Sequence, residues 1–147
     1  MSYSWQRLRS LLRGSLRAGV PAALLSGFPS TFHSLAVKSD PFEATLAAGS
    51  ILLPREQRRG PLMAAAIPVH LGLSLTWTAL MAALLPRRHP VLEGSLAGIA
   101  IAILDLGVIG PRFPRIRALQ SLPQIADHLA FGIIAATFLA RQQGNEP

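Results

Sequence analysis

The stretch GSLAGIAIAILDLGVIG, residues 94–110, is apolar enough to cross a bilayer yet carries a carboxylate, Asp105, inside it. A charge at such a depth is costly, so intramembrane acids are rare and face a bundle interior or a water-filled cavity. Three other apolar runs each hold a histidine, His33, His70 and His128, as candidate partners. This stretch therefore predicts a multi-pass helical membrane protein with a polar interior.

Composition agrees. Of 147 residues, 50% are hydrophobic and only 14% charged, outside the usual range of soluble domains. Lys plus Arg number 14 against 7 Asp plus Glu, and all the bases but Lys38 are arginine. These arginines stand at the ends of apolar runs, where they meet phosphate headgroups, and this placement argues against nucleic acid as a partner. The chain contains no Cys, which excludes a disulfide framework, a thiolate nucleophile and a zinc–thiolate site.

Working outward from residues 94–110, the third span is 91–110 and the second is 62–85. The link Pro86-Arg87-Arg88-His89-Pro90 is short enough to make them antiparallel neighbours. The first span is 18–37, about 30 Å of helix, with Gly19, Ala22, Ser26, Ser30 and His33 along one small, polar stripe. Ahead of it, residues 1–17 hold no acid and place Trp5, Leu8, Leu12 and Leu16 near one face, so they read as an amphipathic interfacial helix. Arg7, Arg9, Arg13 and Arg17 border that face as headgroup contacts. Two processing readings compete: Ser34-Leu35-Ala36 resembles a cleavage site and the Arg-rich start resembles a transit peptide, but Pro21 and Pro29 interrupt the apolar stretch that follows.

Asp40-Pro41-Phe42-Glu43 supplies a helix start with Asp40 as N-cap, and the helix it opens runs to Leu53. Its apolar part is only about 15 Å long, which makes it re-entrant or interfacial rather than spanning. Residues 111–123 place Arg112, Arg115 and Arg117 among apolar side chains and lie along the headgroups. The last span runs from Gln124 to Ala140, and 141–147 form a disordered tail. The expected fold is thus all-α, a single transmembrane domain over 18–140 of four spanning helices, with an amphipathic N-terminal helix and one short re-entrant or interfacial helix.

Four crossings divide the bases evenly, seven of fourteen on each side, whereas five would place ten of them inside. Length favours four and charge favours five. With four crossings, His33, Asp105, Asp127 and His128 lie about 6 to 8 Å below one membrane face and His70 about 12 Å. Gly94, Gly98 and Ala102 form a small-residue stripe from which Asp105 departs by about 20°, and His128 heads a similar stripe with Gly132 and Ala136. The cluster has three readings. It is interhelical glue, a proton or ion path, or a metal site, and no HExxH or ExxH pair supports the last. Trp77 reads as packing, Glu93 as a salt-bridge partner of Arg87 or Arg88, and Pro68 as a common membrane-helix proline. Ser30 and Ser34 beside His33 lack a nucleophile elbow, and P-loop and dinucleotide signatures are absent.

Phe28-Pro29-Ser30-Thr31-Phe32-His33 and Asp127-His128-Leu129-Ala130-Phe131-Gly132 resemble stretches of uncharacterised small multi-pass membrane proteins of bacteria, in which a His followed by an aromatic–Gly pair begins the final helix. The resemblance implies a bacterial inner-membrane location, ahead of an organelle membrane, and no activity. The functional expectation is a non-catalytic structural or accessory subunit, partnered by the bilayer and by a larger membrane complex or its own copies, with no cofactor indicated. A small transporter or proton-conducting bundle is the alternative, and a metal-binding membrane protein the third.

Overall fold

A computed structural model of the chain describes residues 2–143. The side chains of residues 2–4, 6–8, 10 and 143 lie outside that description, and so do residues 144–147. The headgroup role expected of Arg7 and most of the expected tail therefore fall outside the described residues. All regular structure within them is helical: α1 Ser2–Leu25, α2 Phe28–Ala36, α3 Glu43–Gly49, α4 Arg59–Leu84, α5 Pro90–Ala102, α6 Pro114–Arg117 and α7 Ser121–Gln143. A π-helical segment, Ile103–Ile109, and a 3₁₀ turn, Gly110–Arg112, prolong α5. Three helices are long and apolar enough to cross a membrane, Arg59–Leu84, Pro90–Arg112 and Ser121–Gln142.

The amino-terminal region departs from expectation. α1 runs unbroken through residues 17 and 18. The break comes instead at Ser26-Gly27. Pro29 has no N–H to give the Leu25 carbonyl and its ring crowds that carbonyl, so α1 stops at Leu25 and α2 restarts with Pro29 in its first turn. α2 ends in a Schellman turn: the Ser39 N–H reaches the Ser34 carbonyl at 2.8 Å and the Lys38 N–H reaches Leu35 at 3.2 Å, with Lys38 left-handed at φ 57°.

Asp40 does not cap α3, which starts at Glu43 and ends at Gly49 rather than Leu53. Its carboxylate instead accepts the Phe42 N–H at 3.0 Å and pairs with both terminal nitrogens of Arg59, at 2.5 and 3.1 Å. The seven residues of α3 measure about 10 Å, far short of the ~30 Å hydrocarbon core. α3 packs on the start of α4, where Gly49 meets the Leu62 backbone closely enough that a methyl group would overlap it.

α5 lays its small-residue face on α7 and not on α4, the neighbour that the short link predicts. Gly94 abuts the Gly132 carbonyl, and a methyl on Gly98 would stand 2.9 Å from the Leu129 Cα. Ala102 continues that face and is buried. α1 and α2 run alongside α7 from Gly14, next to Gln142, to Ser30, next to Asp127. The core joins Ala18 and Ala22 of α1, Met81 and Ala82 of α4, Ile101 of α5 and Phe131, Ala135, Ala136 and Leu139 of α7. Small side chains there bring backbones together, while Leu24, Phe28, Leu84, Leu96, Ile103 and Leu122 point outward, an apolar exterior suited to lipid. α7 begins three residues before the expected Gln124 and stays helical through Gln143.

Glu93 forms no pair with Arg87 or Arg88 side chains. It accepts the backbone N–H groups of Arg87, Arg88 and His89 at 2.6, 3.0 and 3.0 Å, closing the start of α5, and the Arg87 guanidinium donates to the Ala82 carbonyl at the end of α4.

Candidate functional site

Breaking a helix leaves carbonyls without donors on one side and N–H groups without acceptors on the other. At the α1–α2 break both kinds are satisfied from other helices. Asp127 Oδ1, on α7, accepts the Ser30 N–H at 2.8 Å, at a position where a helix usually receives its own N-cap side chain. The Ala23 carbonyl, in the last turn of α1, lies 2.8 Å from His70 Nε2 on α4. A carbonyl only accepts, so His70 carries its proton on Nε2.

Asp105 lies on the π-helical segment and faces two helices. The Trp77 indole on α4 donates to its Oδ2 at 3.2 Å, and His128 Nε2 on α7 stands 3.4 Å from the same oxygen. His128 Nδ1 is 2.7 Å from the Gln124 carbonyl and must be its donor, which leaves Nε2 facing a carboxylate. Chemically, this is a carboxylate flanked by an imidazole and an indole N–H, an arrangement able to take up a proton. The π segment widens the helix at Asp105, and such segments recur at functional sites.

These groups share one cavity of about 680 Å³ between α2, α3, α4, the end of α5, α6 and α7. His70, Asp105, Asp127 and His128 line it, together with Ser30, Ser74 and Trp77. His33 is excluded. It lies beyond the break on α2 and is not among the lining residues. Gly94, Gly98, Ala102 and Gly132 form the α5–α7 contact away from the cavity. Arg9, Arg13, Arg17, Arg112 and Arg117 are exposed, while Arg115 is half-buried and donates to Gln57 at 2.9 Å. Among the described residues no three His, Cys, Asp or Glu side chains gather as a metal site would require.

Sequence reasoning missed Trp77 as a donor and Ser30 as the Asp127 partner. The first has a signal, since a Trp placed mid-span needs an acceptor for its N–H. The second follows only once Pro29 is read as a break rather than a kink. No family model, no curated protein and no solved structure matches the chain.

Proposed function

We propose that the chain is a four-crossing membrane bundle acting as a non-catalytic structural or accessory subunit, its polar cluster serving as interhelical glue. One observation carries this reading: Asp127, His70 and Asp105 each engage another helix, and two of the three complete main-chain groups opened by the α1–α2 break. Conduction machinery has no need of such bonds, whereas a broken span does. The fourth crossing is supported by α1 and α2, which run beside α7 from Gln142 to Asp127 and so share whatever depth α7 crosses. α3 is too short to add a fifth. The bacterial inner membrane suits the resemblance of the α2 and α7 stretches, with Arg9, Arg13, Arg17, Arg112 and Arg117 at the headgroups.

Native mass after gentle extraction of the untagged protein tests this. The reading expects a particle of fixed stoichiometry heavier than the chain's own 15.7 kDa. A lone monomer would contradict the accessory role. A small transporter or proton-conducting bundle is the second reading, favoured by the cavity that Asp105, Asp127, His70 and His128 line. It expects a pH-dependent flux in proteoliposomes that Asp105→Asn abolishes, and no flux from the purified protein would end it.

A further inference from the structure

A structural cluster would be served by a filled interior, yet the groups that repair the break surround about 680 Å³ of open space. That volume lies within the ~300–1,000 Å³ typical of sites for drug-sized ligands, and the lining has their usual character, apolar walls with a few convergent polar groups. Ile51, Leu73, Ile101, Ile109, Leu119 and Phe131 supply walls from five different parts of the fold.

The carboxylates among the polar groups, Asp105 and Asp127, favour positive charge. No Lys or Arg lines the cavity. The basic groups that line it are the imidazoles of His70 and His128, which face the carboxylates of Asp105 and Asp127, and Asp127 Oδ1 accepts the neutral Ser30 N–H. Among the described residues Asp127 Oδ2 and Asp105 Oδ1 accept no hydrogen bond, and His70, donating through Nε2, keeps a lone pair on Nδ1. Trp77 adds an aromatic wall of the kind that attracts cations. We infer that this cavity binds an organic cation with an apolar body, seated with its charge toward Asp127. An anion of the same shape would meet the Asp127 carboxylate in a low-dielectric site and be rejected.

The probe is tetraphenylphosphonium, compared with tetraphenylborate, which has the same shape and the opposite charge. Both are measured by equilibrium dialysis against full-length protein in neutral-lipid nanodiscs, with empty nanodiscs subtracted. Saturable binding of the phosphonium at one per chain, with the borate at least about tenfold weaker, is the expected result. Equal or tighter binding of the borate, or no saturable phosphonium binding, overturns the proposal. Asp127→Asn keeps an acceptor for Ser30 and removes the charge, so it should weaken the phosphonium about tenfold, and unchanged affinity counts against the site. Should that variant not fold, Ala48→Trp, which fills the cavity from α3, is expected to abolish binding, and retained binding overturns the proposal. The melting temperature of Asp127→Asn reports on the structural reading separately, so the two can fail independently.

Discussion

Asp127 accepts the backbone N–H of Ser30 at 2.8 Å across 97 residues of chain, so one helix caps another. With His70 on the Ala23 carbonyl, it supports the Pro29 break in the first long helix: one opened carbonyl and one opened N–H have side-chain partners, from α4 and α7. The polar residues follow from the proline, and the proline places the break at the edge of a cavity.

The α5–α7 seam has no room for a side chain at Gly94 or Gly132. Gly94→Ala and Gly132→Ala drive a methyl into a facing backbone carbonyl and should cost more than the ~1 kcal/mol that Ala normally gains over Gly in a helix, whereas Gly72→Ala meets open space and should be neutral or stabilising. Unfolding in mild detergent compares the three. Equal effects at all three positions would contradict the seam.

Lys38 pays the left-handed penalty that Gly avoids. Lys38→Gly should raise stability by about 1 kcal/mol, and Lys38→Val should lower it, since β-branched side chains fit that conformation least. A midpoint that falls in the glycine variant would rule out the Schellman end of α2.

Glu56, on the exposed loop before α4, is held down to about 2 by hydrogen bonds from the Arg58 guanidinium and then from the Arg58 and Gln57 N–H groups. Asp40 is likewise lowered, by its bond to Arg59 first and the Phe42 N–H second. For a carboxylate lowered by folding, the stabilisation is present above the unfolded value, 4.5 for Glu56 and 3.8 for Asp40, and is lost as pH falls through the folded one. The Gln57 and Arg58 amide resonances should therefore shift near pH 2, with less displacement in high salt because both sites are exposed. A transition near 4.5 would mean that Glu56 is free.

Topology separates four crossings from five. The chain has no cysteine, so single substitutions report cleanly. Arg13→Cys and Arg55→Cys should label from opposite sides of the membrane, with Arg88→Cys on the side of Arg13. Labelling of positions 13 and 55 from the same side would mean five crossings, with α3 spanning, or three, with α1 and α2 not spanning.

Much of this was legible in the sequence. Uncharged length places α4, α5 and α7 to within a few residues, and the step of small residues from Gly94 to Ala102 turns Asp105 toward a neighbouring helix without saying which residues it meets there. The failures are local. Hydropathy cannot tell a proline that kinks from one that breaks, because the difference lies in partners elsewhere: Pro68 sits inside a continuous α4, while Pro29 ends α1. His33 was placed with the other histidines by depth alone, and the break removes it from their cavity. Asp40 matched a capping pattern, yet Arg59, distant in sequence, holds its carboxylate. Which helix pairs with α5 was also hidden, since loop length says that α4 and α5 are antiparallel but not that Gly132 offers the closer surface.

The most direct test of the cluster as glue for the break is a double-mutant cycle between Asp127 and Pro29, read as unfolding free energy in mild detergent. Asp127→Ala alone should destabilise by about 1 kcal/mol, as loss of a helix cap does. In a Pro29→Ala background the helix can close on itself and Ser30 gains a main-chain acceptor, so the same change should cost little, giving a coupling on the order of 1 kcal/mol. Additive effects, with Asp127→Ala equally costly in both backgrounds, would contradict the account.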